Sequence, residues 1–184
     1  MVDTAIQAGP PAYTVTARTL HWLTAVLVLV QIPLGLAIVN VELGAWKDAL
    51  YNLHKSIGAT LIPIVLVRLV YRWTHRPGPL PQDIPPLRRL AAETMHWILY
   101  ALLVVQGFVG WIATSAYPAP IPVFGLFELP PIWREDRPLS DQLYVLHRAI
   151  GIALAILLVG HIGAALQHHF IRKDRVLMRM ISGG

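Results

Sequence analysis

Residues 19 to 41, TLHWLTAVLVLVQIPLGLAIVNV, run for 23 positions without a charged side chain. A helix needs about 20 predominantly apolar residues to cross the hydrocarbon of a bilayer. This run therefore reads as a membrane span. It is too long for the apolar region of a cleaved signal peptide, about 7–15 residues, and no clear small-residue cleavage site follows it. Composition extends the reading to the whole chain. Of 184 residues, 55% are hydrophobic and only 14% charged, against about 25% charged in soluble domains. Too few polar groups remain to cover a water-facing surface, which excludes disorder, a coiled coil and most soluble enzymes.

Three further spans are expected at about 50–73, 94–116 and 143–171. The second is the least clean. Only 12 uncharged residues separate Lys55 from Arg68, about 18 Å of helix, so both cations must sit inside its ends. The connections are short or proline-rich. HRPGPLPQDIPPLRR is read as non-helical, because proline removes donors and restricts its neighbours. Residues 118–141 are read as a structured loop lying on the membrane surface. The expected fold is an all-α, integral-membrane four-helix bundle forming a single domain.

Basic residues collect after span two (Arg72, Arg76, Arg88, Arg89) and in the tail (Arg172, Lys173, Arg175, Arg179). The other two loops hold more acids than bases. By the positive-inside rule both termini are expected to be cytoplasmic. The same placement at helix ends argues against nucleic acid as the reason for the net charge of +5.

The eight histidines and the absence of cysteine then define the chemistry. Without cysteine there is no disulfide, iron–sulfur cluster, thiolate zinc site or covalent haem attachment. Imidazole in hydrocarbon needs a partner. Orientation places His21, His96 and His161 toward the inner side and His54 and His147 toward the outer side. His147 and His161 are 14 residues apart, about 21 Å of rise and about 40° of rotation, so one helix presents both on one stripe. His54 matches His147 in depth, and His21 matches His161. Two transverse pairs suit two bis-His haems, whereas zinc would want three or four ligands converging at one depth.

Small residues follow each proposed ligand by one turn: Ala25, Gly58, Gly151 and Ala165. His96 is followed there by Tyr100, which would crowd a macrocycle. Two sequence echoes, Thr19-Leu-His21-Trp22 with Thr94-Met-His96-Trp97, and Leu53-His54-Lys55 with Leu146-His147-Arg148, suggest a duplicated helix pair. The duplication makes His96 a rival to His21 for the inner site. Lys55 and Arg148 are read either as partners for haem propionates or as interfacial anchors. Arg68 is either an end anchor or a partner for inner propionates or a quinone. His75 is expected to be solvated, and His168 and His169 to contact lipid headgroups.

The segments ARTLHWLTAVLV, LYNLHKSIGATLIPIVLVRLVYR, TMHWILYALLV and LHRAIGIALAILLVGHIGAALQHHFIRKDRVLMRM resemble the bacterial cytochrome b561 family, small four-helix dihaem cytochromes of the inner membrane. The resemblance covers nearly the whole chain. It implies two b haems, held by His21 with His161 and His54 with His147. It also implies electron exchange with quinone, ubiquinone as the expected substrate, and a second redox partner. Superoxide oxidation at the outer face, or donation by a redox protein, would supply that partner. The alternatives are a haem-bearing subunit of a larger respiratory oxidoreductase such as a hydrogenase, and a cofactor-free bundle whose histidines relay protons.

Overall fold

A computed structural model describes residues 13–42, 44–78 and 85–183. Four helices carry it: α1 (Val15–Ile38), α2 (Ala45–Thr74), α3 (Pro86–Ala116) and α4 (Arg137–Leu166). All four are long and apolar enough to cross a membrane. Between α3 and α4 lies a two-stranded antiparallel hairpin, β1 (Pro122–Val123) with β2 (Phe127–Glu128). A π-helical turn, Gln167–Arg172, prolongs α4, and a short helix α5 (Val176–Ile181) follows it.

Each helix start has a local cause. Thr14 caps α1 by accepting from the Ala17 backbone N–H at 3.2 Å, satisfying one of the free donors of a first turn. Asp136 does the same for α4, accepting from Leu139 N–H at 3.1 Å. Pro33 and Pro63 lie inside α1 and α2 without ending them, as membrane helices tolerate.

The helices overrun the apolar spans. α2 begins at Ala45 rather than near Leu50, and α4 at Arg137 rather than near Leu143. The segment 118–141 expected as loop is therefore helical from Arg137, because the Asp136 cap and a first-turn proline start the helix there. Likewise α3 starts at Pro86, inside the stretch read as non-helical. Proline in a first turn loses no hydrogen bond and has its φ already set, so Arg88 and Arg89 are helical. Residues 79–84 of that stretch lie outside the described residues.

α1 packs on α2, α3 on α4, and α2 joins the two pairs through α3. The tight core is small: Val28, Ile57, Leu61, Val65 and Tyr100. Much of the remaining aliphatic surface faces outward; Ile156 and Val159 on α4 are 67% and 73% exposed. In water such a surface would be untenable. In a bilayer it is the lipid-facing band, and helix contacts rely on close packing and polar links instead. Ser140, fully buried, supplies one such link by donating to the Ala113 carbonyl at 2.9 Å.

The two ends of the bundle differ. At the end here termed the cap, the β-hairpin loop fastens to α2: Ser56 Oγ donates to Pro122 O and accepts from Phe124 N–H, at 2.9 and 3.0 Å. At the opposite end, the base, α5 returns under α1. Trp22 Nε1 donates to Met180 O at 3.0 Å and Arg18 to Ile181 O at 3.1 Å. His168 Nδ1 lies 2.5 Å from Asp174 Oδ2 where the chain turns into α5. His75 stays at the surface, stacked on Tyr71 at 4.1 Å.

Candidate haem sites

Five histidines of the helices meet at two levels. Toward the cap, His54 of α2 faces His147 of α4 with ring centres 6.1 Å apart and planes at 78°. Toward the base, His21 of α1 faces His161 of α4 at 6.4 Å and 58°. These are the pairs that depth-matching along the helices predicts. His96 of α3 joins the base level, 5.3 Å from His161 and edge-on to it.

The surroundings of the two levels differ. At the cap both rings rest against helix backbone where a glycine leaves room. A β-carbon on Gly35 would lie 3.0 Å from Cε1 of His54, and one on Gly110 would lie 3.0 Å from Cε1 of His147. The Nδ1 atoms of both rings are buried without a hydrogen-bond partner. At the base, Arg68 Nη2 lies 2.7 Å from His21 Nδ1, and its guanidinium carbon lies 5.0 Å from the Tyr100 ring centre. Since arginine only donates, His21 accepts through Nδ1. His96 Nδ1 lies 2.5 Å from Ala92 O, so that nitrogen carries the proton and Nε2 is the accepting side. A cleft lined by Tyr13, His21, Arg68, His96, Tyr100 and Met180 opens beside this group.

Gly58 and Gly151, expected to leave clearance for a macrocycle, have another occupant. A β-carbon there would meet Gln31 Nε2 at 3.1 Å and Gln106 Nε2 at 3.3 Å. The residues that do give the rings room are Gly35 and Gly110, which no apolar run or charge marks out. Their signal is a duplicated spacing, His-x9-Gln-x3-Gly, at His21/Gln31/Gly35 and His96/Gln106/Gly110. Lys55 is tied to the loop, donating to Pro120 O at 2.8 Å. Arg148 is exposed on α4.

The prokaryotic cytochrome b561 family model matches residues 12–183. The chain belongs to this family. Cytochrome b561 homolog 2 of Escherichia coli (strain K12) is 37% identical over 94% of this chain and 92% of its own length. The probable superoxide oxidase CybB of Yersinia pestis is 24% identical over 88% of this chain and 91% of its own. Cytochrome b561 homolog 1 of E. coli (strain K12) is 26% identical over 92% and 96%. As a cytochrome b561, the chain is a multi-pass protein of the bacterial inner membrane that binds b-type haem and serves transmembrane electron transfer.

The residues present fit that group. Two imidazoles on opposite sides of one metal atom, each with a bond of about 2 Å, have ring centres about 6 Å apart. The His54–His147 and His21–His161 pairs have this spacing, and the His96–His161 pair is closer. The orphaned Nδ1 atoms and the glycine seats concern only the cap pair. Among the described residues, no cluster of three or more His, Asp or Glu side chains is arranged to hold a metal ion by itself.

Proposed function

We propose that this cytochrome b561 holds two b haems, one between His54 and His147 near the cap and one between His21 and His161 near the base, and exchanges electrons with quinone at the base. The observation that carries the reading is the pair of ring separations, 6.1 and 6.4 Å, at two levels of one bundle. Bound there, the haems supply one-electron carriers at two depths of the membrane.

The chain's own contribution is ligation, burial and the placement of charge. We assign His21 rather than His96 as the partner of His161, because the 6.4 Å between the His21 and His161 ring centres matches two imidazoles about one metal, whereas His96 and His161 stand closer, at 5.3 Å. Ligating through Nε2, His21 would carry its proton on Nδ1. Arg68, which can only donate, would then be available to an anionic oxygen, that of a propionate or a reduced quinone. His96, its Nδ1 engaged by Ala92 O, offers Nε2 to a quinol hydroxyl in the adjoining cleft. Ubiquinone is the quinone we assign. We assign the base to the cytoplasmic side; the basic residues after α2 and in the tail support this by the positive-inside rule.

At the cap, the relative named as a probable superoxide oxidase supports superoxide as electron donor. Arg148 is the exposed cation beside the cap pair, whereas Lys55 is held by the loop.

The test is haem stoichiometry with redox titration of purified protein. Wild type is expected to bind two haems per chain. His54→Ala or His147→Ala removes the cap haem only, and His21→Ala or His161→Ala the base haem only. A preparation without haem, or loss of both haems from a single cap substitution with the fold intact, overturns the assignment. Mixing haem-loaded protein with superoxide and, separately, with ubiquinol identifies the donor and the quinone reaction by haem absorbance.

A further inference from the structure

One contact occurs twice, once in each half of the bundle. Gln31 Nε2 of α1 donates to the backbone carbonyl of His54 on α2 at 2.9 Å. Gln106 Nε2 of α3 donates to the backbone carbonyl of His147 on α4 at 3.0 Å. Each glutamine is one helical turn before the glycine against which the same histidine's ring rests, Gly35 or Gly110. One face of α1 therefore grips His54 at two points, its carbonyl and its ring, and one face of α3 grips His147 in the same way. Gly58 and Gly151 complete the fit by letting each amide approach within 3.1 and 3.3 Å of where a β-carbon would stand.

The bond is not a requirement of the helix. In α2 and α4 these carbonyls are already placed to accept from the N–H four residues on, that of Gly58 or Gly151. The glutamine N–H is a second donor to a satisfied acceptor. Both Gln Oε1 atoms are buried without a partner, so each amide makes its described hydrogen bond through Nε2 alone. An apolar side chain of the same length would serve packing equally well and would leave no polar atom stranded.

We propose that Gln31 and Gln106 are positioning residues for the cap pair, fixing the rotation of α2 and α4 so that the His54 and His147 ring planes stay near the 78° at which they stand. The proposal rests on the assignment of these two histidines as haem ligands. Neither glutamine touches the base pair through any described hydrogen bond, so its effect is confined to one level. The angle between axial imidazole planes governs the g-anisotropy of a low-spin ferric haem, and it contributes to its potential.

The experiment uses full-length, haem-loaded protein with Gln31→Met and Gln106→Met, which keep length and lose the donor. Each is expected to change the reduction equilibrium of the cap haem at least fivefold, about 40 mV at 59 mV per tenfold for one electron. Each should also move the cap haem's largest EPR g value while the base haem keeps both properties. Selective loss of the cap haem would support the proposal as well. Gln31→Asn and Gln106→Asn, whose amides are one methylene short, are expected to reproduce the shift and serve if a Met variant does not accumulate. The base haem reports folding within the same sample. Unchanged cap signals, or equal shifts in both haems, overturn the proposal while leaving the ligand assignment standing. If His54→Ala retains two haems, the ligand assignment itself fails and the proposal falls with it.

Discussion

The His147 ring stands 3.0 Å from the point where a β-carbon on Gly110 would lie, and the His54 ring stands in the same relation to Gly35. Gly110 lies inside α3 and Gly35 in the last turn of α1, and in a helix interior alanine is intrinsically favoured by about 1 kcal/mol. Gly110→Ala and Gly35→Ala are therefore expected to leave the helices intact and displace one ring each. Haem content should fall toward half, with the cap haem missing, as read by pyridine haemochrome and redox titration. Full occupancy at unchanged potential would show that the rings do not need these seats.

His96 separates the two possible base pairs. His96→Ala is expected to retain both haems and to slow ubiquinol-driven haem reduction. His21→Ala is expected to lose the base haem. Loss of the base haem from His96→Ala alone, measured by the same titration, would transfer the ligand role from His21.

Much of this arrangement is already present in the linear chain. The charge-free run 19–41 announces its helix, and the 14-residue interval from His147 to His161 places two imidazoles on one stripe. That is enough to bring His54 and His21 to the correct levels, because depth along a straight helix follows from residue count. Contacts across helices do not. Nothing in the α4 sequence says that Gly151 is filled by an amide from α3. Helix ends also escape a search for apolar runs, since the Asp136 cap starts α4 among charged and polar residues.

Arg68 lies 2.7 Å from His21 Nδ1 and beside the cleft at the base. Arg68→Leu is expected to preserve haem content and to slow ubiquinol-driven reduction by about tenfold to a hundredfold, the loss of one charge-assisted hydrogen bond of about 1.5–3 kcal/mol. Arg68→Lys should recover part of the rate. Stopped-flow absorbance checks both, and a Leu variant with the wild-type rate removes Arg68 from the quinone reaction.

Ser56 joins the cap loop to the helix that carries His54. Ser56→Ala leaves the Phe124 N–H without its acceptor, a cost of about 1–3 kcal/mol if that group stays buried. The loop is expected to release first. Limited proteolysis should cut between Phe124 and Trp133 faster than in wild type, while the haem spectrum persists. Cleavage rates equal to wild type would mean that the remaining loop contacts suffice.

The doubled grip of glutamine and glycine makes the cap level nearly two-fold symmetric: α1–α2 and α3–α4 each bring one histidine, one amide and one seat. Two identical copies of a single helical hairpin, related by a dyad, could build that level unaided. They could not build the base, where the symmetric counterpart of His21 is His96 but His161 on α4 also faces His21. Joining both hairpins in one polypeptide lets the copies differ, and the difference falls at the base. There His96, the counterpart of His21, stands as a third imidazole beside His161. It gives that end of the bundle an imidazole outside the facing pair, which the cap level lacks among the described residues.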